Sequence, residues 1–193
     1  VGNLATGGTG KTPMTEYLVR ILKNDFKTAT LSRGYKRKTV GFAIADSEST
    51  ALEIGDEPMQ FHQKFPDVAV AVGEERIVAI PQLLQQRPET EVIILDDAFQ
   101  HRQVNPGLNI ILTDYSDLYT RDFILPAGDL RDVRSSSKRA DIIIVTKCIP
   151  GLQVEEKNEI IAEINPKPGQ TVYFTSIDYG NPYHLFTKET IEI

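Results

Sequence analysis

Residues 5–12 read ATGGTGKT, directly after the apolar opening Val1-Gly2-Asn3-Leu4 and directly before a segment with helical spacing. A strand that breaks into Gly7, Gly8 and Gly10 and resumes as a helix restricts the chain to α/β architectures. In these the turn bends its backbone N–H groups toward one point at a helix N-terminus, which is a site for an anion. The phosphate-loop pattern G-x-x-x-x-G-K-[ST] is met at Gly10, Lys11 and Thr12, with Ala5 in place of the first glycine. Ala5, Thr6, Gly7, Gly8, Thr9, Gly10, Lys11 and Thr12 are therefore expected to wrap nucleotide phosphates. Lys11 would neutralise β/γ charge and Thr12 would reach a Mg²⁺ ion. The alternative, a glycine-rich turn with an exposed lysine, does not account for Gly-Lys-Thr in a strand–loop–helix context.

The rest of the chain repeats that alternation. Apolar runs at 27–32, 68–72, 92–95, 108–113, 141–146 and 171–176 predict strands, and most are continuous, as strands covered on both faces should be. Segments 13–24, 74–86 and 154–164 predict helices, the second kinked or split at Pro81. Strand–helix–strand repetition implies right-handed crossovers. The expected fold is a P-loop NTPase-type, doubly wound, mostly parallel sheet with helices on both faces. Residues 1–178 form the nucleotide-binding domain, and 179–193 read as the truncated start of a linker or second lobe. The polar stretch 131–139 (RDVRSSSKR) is expected to be a mobile loop. Because the first residue is not Met and already lies in a strand pattern, the chain reads as a fragment.

Composition narrows the partners. With 27 acidic against 21 basic residues the net charge is −6, which argues against nucleic acid. The single Cys148 excludes a disulfide framework and a Cys-rich zinc site. No obligate protein partner is evident.

The run 92–95 ends in Asp96 and Asp97, two carboxylates at the C-terminal tip of an apolar strand, where open α/β sheets bind ligands. Both are assigned to Mg²⁺, which would offset their charge; the alternative is that Asp97 caps the next turn and Asp96 alone approaches the metal. Thr146-Lys147-Cys148-Ile149 stands where guanine-specific proteins carry N/T-K-x-D, with Ile149 in place of the aspartate, so ATP is the expected nucleotide. Asp56, between Gly55 and a helical stretch, reads either as the base for an acceptor hydroxyl or as a helix N-cap.

In this order, VGNLATGGTGKTP (1–13), LSRGYKRK (31–38), GDEP (55–58), DDAFQHR (96–102), LPAGDLRD (125–132) and RADIIIVTK (139–147) resemble the tetraacyldisaccharide 4'-kinase family. The likeness covers most of the chain. Ala98, Asp132 and Val133 depart from the usual glycine, glutamate and proline. The resemblance implies ATP- and Mg²⁺-dependent phosphorylation of the 4'-hydroxyl of a lipid A disaccharide precursor. It also implies a peripheral enzyme on the anionic cytoplasmic face of the bacterial inner membrane. Family members carry an upstream membrane-associating helix and a downstream lobe with an Asp-His motif, so this piece alone is expected to be inactive. The likeness favours Asp56 as the base and places Lys11 and Asp97 with it as catalytic groups. Arg33, Glu57, His101, Arg131 and Asp132 are expected to bind the substrate, with Arg33 and Arg131 on its phosphate. Lysines beside them would attract anionic head groups. Competing expectations are a P-loop kinase of a soluble small molecule and a slow nucleotide-dependent switch.

Overall fold

The computed structural model describes residues 1–178; the expected linker or second lobe at 179–193 lies outside them. In chain order the elements are β1 (Gly2–Asn3), α1 (Lys11–Leu22), β2 (Thr28–Ser32), β3 (Ala43–Ile44), α2 (Ala51–Ile54), α3 (Asp56–Lys64) and β4 (Ala69–Val72). There follow α4 (Arg76–Gln86), β5 (Val92–Leu95), β6 (Ile110–Asp114), a 3₁₀ turn (Arg134–Arg139), β7 (Ile142–Cys148), α5 (Val154–Ile164) and β8 (Thr171–Ser176).

Strand pairing gives two four-stranded ribbons, β3-β4-β2-β5 and β1-β6-β7-β8, parallel except for β3 against β4. They meet where β1 runs beside β5. The Val1 backbone nitrogen donates to the Leu95 carbonyl at 2.8 Å, and the Ala98 N–H donates to the Val1 carbonyl at 3.1 Å. The phosphate-loop strand thus lies between the Asp96–Asp97 tip on one side and β6 and β7 on the other.

Helices cover both faces because successive strand residues point to opposite sides. On one face Val19 of α1 and Phe61 of α3 pack with Val70, Val72 and Ile94, while Met14 packs with Ile110, Leu112 and Ile144. On the other, Ala79 and Leu83 of α4 meet Ala29, Leu31 and Leu95, and Ile160 and Ile164 of α5 meet Ile111, Ile143 and Val145. Ala79 and Leu83 also explain why Pro81 does not split α4. They bury both halves of the helix against the sheet, and that outweighs the one backbone bond proline removes.

The stretch 131–139 is not the mobile loop expected from its polarity. It forms a 3₁₀ turn with Ser136 and Ser137 buried. Arg134 donates to the Asp122 carbonyl at 2.6 and 2.9 Å, and Arg139 donates to the Phe99 carbonyl at 2.9 Å while stacking 4.2 Å from that ring. Charged side chains that hydrogen-bond backbone carbonyls and stack on a ring can order a polar segment.

Candidate functional site

The phosphate loop is strapped from both sides. The Thr6 N–H donates to the Asp129 carbonyl at 2.7 Å, and Ala5 bridges Leu130. Thr9 is buried. It accepts from Asn3 Nδ2 at 2.8 Å through its hydroxyl and from Thr146 Oγ1 at 2.9 Å through its carbonyl. Gly7 (φ 101°) and Gly10 (φ 84°) occupy the left-handed region, which a side chain would strain. No side chain caps α1, so its first-turn N–H groups are open to an anion.

Three carboxylates converge where the phosphates would end. Thr12 Oγ1 donates to Glu57 Oε1 at 3.1 Å, which ties the first turn of α3 to the first turn of α1. Thr15 Oγ1 donates to Asp96 Oδ1 at 3.2 Å. Lys11 Nζ lies 3.9 Å from Asp97 Oδ1. Burial pushes the Asp96 carboxyl above its ordinary range and the Glu57 charge adds to this, the Thr15 bond opposing. Asp97 has the reverse balance. Burial raises it, but the Arg131 hydrogen bonds and the Lys11 charge outweigh burial and hold it low. Asp97 sits at φ 47°, a strained conformation for a residue other than glycine and one that recurs at functional sites.

Asp56, the first residue of α3, is exposed and makes no capping bond; Gly55 holds the cap position. The N-cap reading therefore does not describe it, and its carboxylate is free beside Glu57. Arg33 is exposed at the end of β2 and, among the described residues, makes no ion pair; its charge acts on His101 and Arg76. Burial, then Arg76 and Arg33, hold the His101 imidazole below its ordinary value, so it is neutral at neutral pH.

Two expected substrate ligands are engaged elsewhere. Arg131 pairs with both oxygens of Asp97 and with the Asn3 side chain. Asp132 accepts from Arg102 and Arg139, each at 3.1 Å. The basic stretch after β2 is also split in role. The Arg37 side chain is almost wholly buried against Glu74 at 2.6 Å, whereas Lys36 and Lys38 are exposed. A short acidic partner from a distant loop captures each such arginine, and a charge run in one sequence gives no sign of it.

Arg76 carried no signal in the sequence. At 1% exposure it begins α4 and donates to the Asp96 carbonyl at 3.1 Å and to the Gly73 carbonyl. It braces the backbone that presents both aspartates. Arg76→Met is expected to lower the unfolding free energy by about 2–4 kcal/mol, since it strips two buried carbonyls of their donor. A lower denaturant midpoint at unchanged slope would register this; an unmoved midpoint would remove the bracing role.

A cavity of about 950 Å³ lies along the flank of β5 and the start of β6 against Leu18 and Leu22 and touches none of Lys11, Thr12, Asp56 or Asp96. The candidate site residues sit instead at the open C-terminal edge of the sheet. The donor set there, a threonine hydroxyl and carboxylates, is the hard-oxygen set Mg²⁺ takes. Among the described residues no group of three or more His, Cys, Asp or Glu is placed to hold a metal ion by itself.

Fold and site together define an α/β protein of the P-loop NTPase type. The family model for tetraacyldisaccharide-1-P 4'-kinase matches residues 1–179, and the chain belongs to that family. Similar curated proteins include the tetraacyldisaccharide 4'-kinases of Flavobacterium johnsoniae, 55% identical over 93% of this chain and 53% of the relative, and of Bacteroides thetaiotaomicron, 50% identical over 100% and 51%. The chain thus spans about half the length of the curated relatives it matches. The crystal structure of the "apo" form of LpxK from Aquifex aeolicus in complex with ATP superposes with a TM-score of 0.68 at 27% identity, covering 94% of this chain and 73% of that one.

Proposed function

We propose that the full-length protein transfers the γ-phosphoryl group of ATP to the 4'-hydroxyl of a tetraacyldisaccharide 1-phosphate. The observation that carries this is the Thr12–Glu57 contact, which sets the free Asp56 carboxylate next to the phosphate loop in a chain of this family. Loop N–H groups and Lys11 hold the β- and γ-phosphates. Asp56 accepts the proton of the 4'-hydroxyl as its oxygen bonds to the γ-phosphorus and the β,γ-bridging bond breaks to release ADP. Bound Mg²⁺ would neutralise phosphate charge from Thr12, Asp96 and Glu57, with Asp97 shared between the ion, Lys11 and Arg131. Positioning and charge supply most of the rate.

The acceptor is a lipid, so the protein works at a membrane surface. No helix among the described residues is long and apolar enough to cross a bilayer. We place it peripherally on the cytoplasmic face of the inner membrane, where exposed Lys36 and Lys38 would each contribute about 1 kcal/mol of attraction to anionic head groups. Full-length protein is expected to consume ATP in proportion to added acylated disaccharide 1-phosphate. Turnover indifferent to that lipid would point to a soluble acceptor or a switch instead.

A further inference from the structure

The site uses only the second half of the 125–132 segment, where the Asp129 carbonyl straps Thr6 and Arg131 holds Asp97. The first half belongs to a run of five apolar residues, Phe123-Ile124-Leu125-Pro126-Ala127, all of them exposed, Phe123 by 64%. Single exposed apolar residues are ordinary on a protein surface. A contiguous run at a loop tip marks a place that meets something apolar.

The tip satisfies its backbone from within. The Phe123 and Asp129 N–H groups donate to the Asp122 carboxylate at 2.7 and 3.1 Å. Leu125 N–H donates to the Leu130 carbonyl and Leu130 N–H to the Phe123 carbonyl, both at 2.9 Å, and Ala127 N–H to the Ile124 carbonyl at 3.0 Å. Pro126 has no N–H to pair. A Cβ at Gly128 would lie 2.6 Å from the Phe123 carbonyl oxygen, so the loop closes only around glycine. Peptide groups paired in this way lose little on leaving water, which is what entry into lipid demands. Charge is arranged to the same end. The Asp122 carboxylate is spent on the loop's own N–H groups. Arg134 is exposed and, among the described residues, makes no ion pair; it donates to the Asp122 carbonyl and lies 5.3 Å from the centre of the Phe123 ring. An apolar tip with an unpaired guanidinium at its collar complements anionic head groups over hydrocarbon. The loop leaves the same edge of the sheet as the stretch carrying Lys36 and Lys38, on the other side of the phosphate loop.

We propose that Phe123, Ile124 and Leu125 enter the boundary between head groups and hydrocarbon of an anionic membrane, with Arg134 on the head-group phosphates, and so seat the phosphate loop at the lipid surface. This rests on the membrane placement above but assigns residues that placement does not use. Lys36 and Lys38 supply attraction, whereas the 123–125 tip supplies insertion and sets which edge of the sheet faces the lipid.

Full-length Phe123→Trp, read as the difference from the parent so that any other tryptophan cancels, tests this without activity. On vesicles of equal parts phosphatidylglycerol and phosphatidylcholine with brominated acyl chains, the added emission should fall by about half or more, as for a ring about 5–10 Å deep. Without vesicles, acrylamide should quench it as freely as an exposed indole. Replacing Ile124→Asp and Leu125→Asp together should lower partitioning onto the same vesicles about tenfold, the scale of aliphatic side chains withdrawn from an apolar phase. The unfolding midpoint should stay near the parent's, since both side chains are already exposed. Emission from Phe123→Trp that brominated lipid leaves untouched while the protein is vesicle-bound overturns the proposal, as does parent-like partitioning by the double variant. Shielding from acrylamide before lipid is added overturns it too, because the rest of the full-length protein then covers the tip. A parent that binds no anionic vesicle overturns the membrane placement as well; a parent that binds with position 123 in water sinks the insertion site alone.

Discussion

Lys11→Ala is expected to lower kcat about 10²–10³-fold in the full-length protein, the scale on which one preorganised donor to a developing charge acts. Lys11 is only 18% exposed and lies 3.9 Å from Asp97 at the first residue of α1, where the loop amides and the helix dipole already favour an anion. A partly desolvated cation there acts more strongly on a phosphate than one in water. ATP binding should weaken too. Thermal unfolding should stay near the parent's, because Asp97 keeps Arg131 when Lys11 is removed. Lys11→Arg tests shape: the charge stays but the planar fork replaces a compact ammonium, so recovery should be small. Phosphoryl transfer with saturating lipid is the measurement, and a kcat within a few-fold of the parent for Lys11→Ala would remove Lys11 from the mechanism.

What could be read from the sequence was what is local. The phosphate loop is legible because glycines, lysine and threonine lie within eight residues, and β5 because an apolar run ends abruptly in two aspartates. The strands at 92–95 and 171–176 and the helix at 154–164 match β5, β8 and α5, since periodicity reports burial along one element. The two-residue β3 is too short to carry a period, and it alone is antiparallel. The site's supporting contacts were hidden for another reason. Thr15 meets Asp96 across 81 residues, Arg131 meets Asn3 across 128, and Arg76 resembles any charged residue opening a helix until its carbonyl partners are known. The same distance explains Asp132. The family resemblance implied a substrate ligand there, and the fold pairs it with Arg102 and Arg139, which the local sequence does not announce.

The largest separation between binding and chemistry is expected at Asp56. Asp56→Asn should lower kcat about 10²–10⁴-fold, the range of a lost general base, with little change in KM for ATP or lipid. Asparagine is the informative replacement. It keeps the shape, and it caps a helix as well as aspartate does, so a capping role would survive it with stability and rate intact. A base role would not, because a neutral amide cannot take the proton of the attacking hydroxyl. Gly55 at the cap position and the absence of any capping bond from Asp56 mean that α3 should fold equally well in the variant. Glu57 cannot substitute at the hydroxyl while it accepts from Thr12 on the phosphate side. Steady-state phosphoryl transfer together with an unfolding curve decides between the two roles: an unchanged midpoint with collapsed kcat makes Asp56 the base, whereas unchanged kcat with Asn moves the proton acceptor to another residue of the full-length protein.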